Sequence, residues 1–503
     1  MRRAVRVIPV AVVLVVLAAI YGIASLTRPA AAGGPTASAT PAITRSAAIT
    51  SAARACAPIA AKQGTSGNIA MIAAPASGAS GTGTGGTAGK AALTPLTAAA
   101  SSAASSAPTS SGQAAPLVSA SRVGLPSLTA VSGAVEIDAS GSMAQGLEAE
   151  ESASGGADEV RCSGPSPDIW FVGPGQQAGV AYVQLYLMNT DSQPATVDVS
   201  VITDSGVVAG SADKGITVPP HGLVTESLAQ YASGSGTVAF NVQTSRGRVA
   251  AAVWAASAAG ARGSWLPPAV APSTHIVIPG LPAGSGSVRV FMVVPGSANA
   301  QVKVVALTPQ GSVEPIGSQA VEAVPESASS FALASVGSTG SAVELTASVP
   351  VTAAVEVTSG GSSNFSAATA ALQEQGVVAG NLSGAGAASS VELTVPGAAA
   401  SIRVAVTSAA ADGAAVSASQ VVAVPTAHTV TTALRPPAGA KSGVPFAVTV
   451  TPLAGSGPVY AARVLSRNGA AESIIGVESA LTQVRLPAVR GSYSAILPLP
   501  ASV

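Results

Sequence analysis

The sequence predicts an all-β protein built of tandem β-sandwich modules, and three observations carry that prediction. From about residue 116 onward, short runs rich in Val, Thr and Ile alternate with polar residues and are parted by Gly, Pro, Ser or Asn. Period-two alternation over such lengths marks strands with one buried face. Sets of sequence markers recur in the same order at a spacing of about a hundred residues. Beyond residue 26 no ten-residue stretch carries a helical apolar stripe, and Ala-rich pieces such as 367–375 are short.

The repeat defines the modules. Ile-Thr-Val-Pro-Pro at 216–220 returns as Val-Glu-Ala-Val-Pro at 321–325 and Val-Val-Ala-Val-Pro at 421–425. The strand-like run at 197–201 returns at 302–306 and 402–406, so both sets shift by 105 and then 100 residues. Arg-Val-Ala-Ala-Ala-Val-Trp at 248–254 returns at 350–356 and 458–464, and the openings at 171–175, 277–280 and 377–380 also match. Seven or so strands in about a hundred residues suit an immunoglobulin-like sandwich. The Cys…Trp…Cys core signature is absent, so a true immunoglobulin domain is not expected. A β-propeller with two blades per repeat is the alternative. Ala-Val-Glu-Ile at 134–137 resembles Ala-Val-Glu-Val at 354–357, so a partial copy precedes the first module.

The chain then divides as follows. Residues 1–6 carry Arg2, Arg3 and Arg6, and residues 7–26 form an uncharged apolar run. That run has the ~20 residues a membrane-spanning helix needs and exceeds the ~7–15 of a cleaved signal peptide's apolar region. The arginines stay cytoplasmic, so residues 7–26 are read as a single-pass transmembrane signal anchor in the cell membrane, with the bulk of the chain outside. If the segment is cleaved instead, the chain is secreted. Residues 27–42 read as a tether and 43–72 as a segment tied back to the folded body. Residues 73–115 are nearly all Ala, Ser, Thr, Gly and Pro and are expected to be a disordered insertion, because such a segment buries too little apolar surface to offset its ordering entropy. A partial β module follows at 116–166, then module one at 167–268, module two at 269–370 and module three at 371–503.

Composition narrows the function. Hydrophobic residues make up 48% of the chain, aromatics 3% and charged residues 9%. With 23 basic and 23 acidic residues no basic patch dominates, so nucleic acid is excluded as a partner. Two Cys and three His offer no metal cluster, and no cofactor is expected. Outside the cytoplasm the simplest state of Cys56 and Cys162 is a disulfide.

Catalysis finds no foothold. The sequence has no G-x-S-x-G elbow and no H-E-x-x-H, and no paired carboxylates are read on a shared strand, so an enzyme is not expected. His221, His275 and His428 are scattered and read as exposed turn residues. Asp-Ala-Ser-Gly-Ser-Met at 138–143 is similar to the D-x-S-x-S metal site of von Willebrand A domains. Its surroundings lack the strand–helix alternation such a site needs, and the internal repeat accounts for the same residues. Glu148, Glu150, Glu151, Asp158 and Glu159 are irregularly spaced among Ser and Gly and read as a solvated loop. Trp170, Trp254 and Trp265 all fall in module one. Trp265, beside Pro267 and Pro268, is the one expected to be exposed. With Arg248 and Arg262 nearby it forms the candidate glycan contact.

The basic N-terminus and apolar anchor, Arg-Cys-Ser-Gly-Pro at 161–165, Asp-Ile-Trp-Phe-Val-Gly at 168–173 and Asn-Thr-Asp at 189–191 together resemble an actinobacterial family of uncharacterised, N-terminally anchored secreted envelope proteins. The resemblance implies an envelope location and supplies no catalytic residues. The expected role is therefore structural or binding work in the cell envelope, with a wall glycan or an envelope protein as partner. The alternative is a carbohydrate-binding accessory protein in envelope polysaccharide assembly.

Overall fold

The computed structural model describes residues 45–59, 67–74, 89–99, 118–120, 123–153, 159–208, 214–257, 263–284, 286–315, 320–334, 336, 340–359, 362–384 and 386–486. The proposed anchor, the tether and Arg262 lie outside them. Among the described residues no helix is long and apolar enough to cross a membrane. Ala48–Val484 forms one compact unit. Of the second unit, residues 45–47 and 485–486 are described, within the paired strands Arg45–Ala48 and Gln483–Leu486.

The described residues are all-β, and each repeat is two sheets face to face rather than blades around a channel. Module one opens with Asp168–Pro174, which pairs with Thr237–Arg246; the latter pairs in turn with Ala195–Thr203. Opposite lies a sheet ordered Gly263–Leu266, Ala250–Ala256, Tyr182–Asn189, Gly222–Ser227. Strand by strand, module three repeats this order: Gly376–Asn381, Phe446–Pro452 and Ala400–Ala409 in one sheet, with Ala387–Val395 and Tyr460–Arg467 central in the other. In module two the counterparts of Thr237–Arg246 and Ala250–Ala256 fuse into a single strand, Ser341–Ser359, whose two halves serve opposite sheets. The same turn carries a left-handed residue in all three modules: His221 (φ 48°), Glu326 (φ 51°) and Ala427 (φ 59°). A shared turn that places a side chain in this costly region marks a common architecture.

Alternating burial produces the cores. Along Ala195–Thr203 the odd-numbered residues Val197, Val199 and Val201 are buried, and Val302, Val304, Ile402 and Val404 repeat the pattern. Phe171 and Phe240 fill module one and Phe446 fills module three.

The N-terminal region departs from expectation. It is a whole sandwich, not a partial module. One sheet runs Glu159–Arg161, Leu147–Ala153, Gly67–Ala73, Ser127–Val131. The other runs Ser51–Cys56, Val135–Ser140, Lys90–Pro95, Val118–Ala120. Three of these strands come from stretches read as a tied segment or a disordered insertion. Within the latter, Lys90–Pro95 pairs with Val135–Ser140 and buries Ala91 and Leu93, and Thr97–Ala98 adds a parallel strand to module one. Alanine and threonine carry little hydrophobic amplitude, so the alternation is faint in sequence. Neighbouring strands supply the apolar surface that the segment itself lacks. Cys56 and Cys162 are bonded within this core.

The four sandwiches pack into a cycle. The N-terminal one meets module one through Ala55, Leu96, Leu223, Trp254 and Trp265. Module one meets module two through Val172, Phe291 and Ala354. Module two meets module three where Ala462 and Ile474 join the module-two core. Module three returns to the N-terminal sandwich, with Val377, Ala379 and Ala447 against Ala70 and Ile72.

Candidate functional site

The four sandwiches converge on a buried charged junction. It arises from the strand Leu147–Ala153 (Leu-Glu-Ala-Glu-Glu-Ser-Ala), in which Leu147 and Ala149 face the N-terminal core. Period two then sends Glu148 and Glu150 to the opposite face. The antiparallel register sets Arg161 beside Glu150 and Glu159 beside Ser152, so all four charged residues share that face. These carboxylates are not a solvated loop: Glu148, Glu150, Glu151 and Glu159 are all buried. Asp158 lies outside the described residues. The acidic run is strand, and its outer face is covered by module three.

Glu148 receives two guanidinium groups. Arg54 donates to Oε1 at 3.0 Å, and Arg161 donates to Oε2 through Nη2 at 2.6 Å and Nε at 3.1 Å. Arg161 also meets Glu478 of module three at 2.9 Å. Burial opposes the charge on Arg161, but Glu148 and Glu478 outweigh it and raise its pKa further. Glu150 accepts the backbone N–H groups of Ala379 (2.9 Å) and Gly380 (3.0 Å) from a module-three strand. Burial and then the neighbouring Glu159 push Glu150 up to about 8, against the pull of Arg463. Three guanidinium groups (Arg54, Arg161, Arg463) thus meet Glu148, Glu150, Glu159 and the half-exposed Glu478 at this junction.

Arg463 is the largest fully buried side chain, and its Nη2 lies 2.5 Å from Glu159 Oε2. The pair touches by charge, and among the described residues neither Glu159 Oε2 nor any Arg463 side-chain nitrogen has an aligned hydrogen-bond partner. At Gly380 a Cβ would lie 2.8 Å from Glu159 Oε1, so the absence of a side chain there lets the carboxylate in. The signal for Arg463 was present in the repeat. It stands where Val253 and Val355 stand, and both of those belong to their own module's core.

Trp265 is buried, contrary to the exposure expected of it. Its ring lies 5.1 Å from Trp254, near edge-on, and 5.8 Å from Tyr186. Pro267 and Pro268 are half-buried, and all three residues line a small cavity of about 60 Å³ at the junction with Glu159, Arg161 and Glu478. Arg248 is half exposed and engaged by both oxygens of Asp191, at 2.9 and 3.0 Å. The structure therefore does not assemble Trp265 and Arg248 into an open glycan platform.

The histidines have partners. His221 Nδ1 lies 2.9 Å from the fully buried Glu136 Oε2, joining module one to the N-terminal sandwich, so His221 is not a simple exposed turn residue. His275 meets Glu344 at 2.7 Å, and His428 meets the Thr426 carbonyl at 2.7 Å. Asp138 has its pKa raised by burial, with His221 opposing and Asp191 reinforcing. Among the described residues no three His, Cys, Asp or Glu side chains converge to hold a metal ion. A second, more open cleft of about 360 Å³ lies between modules one and two, lined by Ser264, Glu356, Ser363, Asn364 and Phe365 and reached by Glu472 of module three.

Fold and junction define, over the described residues, an all-β protein of four sandwiches packed in a cycle, with buried charge joining the N-terminal sandwich to module three. Residues 118–437, more than half of the chain, match the family of unknown function DUF5719, and the chain belongs to that family. No curated protein and no solved structure matches it.

Proposed function

We propose that this chain is a non-enzymatic, membrane-anchored extracytoplasmic protein with a structural or binding role in the envelope of an actinobacterial cell. The observation that carries the reading is the Cys56–Cys162 bond, buried in the core of the N-terminal sandwich. Such bonds persist in oxidising compartments and are rare in the cytosol. The basic residues and apolar run of residues 1–26 support the same location. Four sandwiches joined in a cycle suit a rigid spacer or platform held at the membrane. The test is fractionation of cells expressing the tagged chain, with protease added outside spheroplasts and thiol labelling under denaturation. The reading expects membrane association, digestion from outside and no free thiol. A soluble, protected chain with two reactive thiols overturns it.

A second reading, carbohydrate binding, now rests on the cleft between modules one and two rather than on Trp265. Its polar lining of Ser264, Glu356, Ser363 and Asn364 around Phe365 suits hydroxyl-rich ligands. Saturable binding of a purified wall glycan that Glu356→Ala removes supports it; binding unaffected by that change counts against it.

A further inference from the structure

We infer that the strand Ala415–Val424 is a homodimerisation edge, pairing antiparallel with the same strand of a second copy of this chain. The strand is ten residues long and lies at the end of its sheet, where Ala400–Ala409 is its sole strand partner among the described residues. Its ten residues pair in unbroken register without a bulge. Nine of the ten are at least partly exposed, and Val421 is 59% exposed. Among the described residues, the outer row of backbone N–H and C=O groups on this strand has no strand partner.

Exposed edges invite strand addition, and proteins ordinarily blunt them by shortness, charge, proline or bulges. Modules one and two do so at the same place. Among the described residues, module one has Gly206–Val207 and Ile216–Val218 there, and module two has Gly311–Val313 and Val321–Ala323. Module two also sets Glu322 on this edge opposite Gln301, where module three has Ala423 opposite Ser401. Among the described residues, module three alone carries an unbroken strand there, Ala-Val-Ser-Ala-Ser-Gln-Val-Val-Ala-Val, with no charge and no proline.

The occupant follows from that sequence. An antiparallel copy matches the edge in length, meets no like charge anywhere along it and forms an isologous two-fold contact that closes. The axis lies between the two strands, level with Ser419 or Gln420 at their centre, perpendicular to the sheet. Residues facing each other there have Cα atoms about 4.5–5.5 Å apart, within disulfide reach.

The test uses the full-length chain in detergent. The two native cysteines are bonded to each other, so an introduced thiol reports cleanly. Ser419→Cys and Gln420→Cys are oxidised separately, with Val313→Cys on the short module-two edge as control. A covalent dimer is expected from at least one of the pair and not from the control. In parallel, sedimentation follows the wild type and the double variant Ser419→Lys/Gln420→Lys, which gathers four positive charges at the axis. The inference expects a wild-type dimer that the lysines convert to monomer with an unchanged unfolding temperature, since both positions are exposed. A wild type that stays monomeric at every concentration, or a dimer that survives the lysines, overturns it. So does cross-linking of the cysteine variants to a different protein in cells.

Discussion

Arg463 of module three and Glu159 of the N-terminal sandwich lie 2.5 Å apart, guanidinium to carboxylate, and neither side chain reaches solvent. The two residues are 304 positions apart in the chain. Their contact fastens the last module to the first sandwich and closes the cycle of packing.

Removing one member of this pair leaves an uncompensated buried charge. Arg463→Leu should destabilise the fold by about 3–5 kcal/mol. The double variant Arg463→Leu/Glu159→Leu should recover most of that loss, because a well-packed apolar pair matches a buried ion pair. Urea unfolding of the three proteins measures the coupling. Equal destabilisation by the single and double variants contradicts this account of the junction.

The buried carboxyl groups make stability depend on pH. Glu150 and Glu151 are each pushed up to about 8, by burial first, and Glu392, at the contact of modules two and three, is also raised to about 8 by burial. Each therefore binds its proton more tightly folded than unfolded. The stability they contribute is fully present below the unfolded value of 4.5 and is lost as pH rises through about 8. Glu150→Gln keeps an oxygen for the Ala379 and Gly380 N–H groups but cannot ionise. It should match the wild type at acid pH and become progressively the more stable protein toward pH 8. Unfolding midpoints for both proteins across that window check the sign.

The disulfide closes a long loop, since its cysteines are 106 residues apart. Cys56→Ala/Cys162→Ala should cost about 4–5 kcal/mol in the chain-entropy account. Reductant should lower the unfolding midpoint of the wild type toward that of the variant and leave the variant itself unmoved.

Trp265 fills the contact between the N-terminal sandwich and module one. Trp265→Ala should cost about 3–5 kcal/mol through the cavity it leaves. Thermal unfolding gives the magnitude. A variant as stable as the wild type would contradict the buried position.

Period-two alternation and a repeat of about a hundred residues were sufficient to read the all-β class and the tandem sandwiches, because strand pairing inside each module is encoded locally by which side chains alternate. The same signal failed where alternation was weak. Lys90–Pro95 is Lys-Ala-Ala-Leu-Thr-Pro, and it becomes a strand through partners at 118–120 and 135–140 rather than through its own composition. The acidic run misled for a related reason. Glutamates at 148, 150, 151 and 159 look solvated in isolation, and whether they meet water depends on what covers the strand. Arg54, Arg161 and Arg463 come from distant parts of the sequence, so nothing local announces their convergence. Only the anomaly of Arg463 among repeat valines pointed that way. Trp265 was misread likewise, since burial of an aromatic beside prolines is set by the neighbouring module. The sequence by itself thus determined the class of fold, the repeat and the pairing of its two cysteines. Tertiary structure alone decided that the sandwiches close on one another and which charges lie at their meeting point, because desolvation is a property of the assembled interface and not of any one strand.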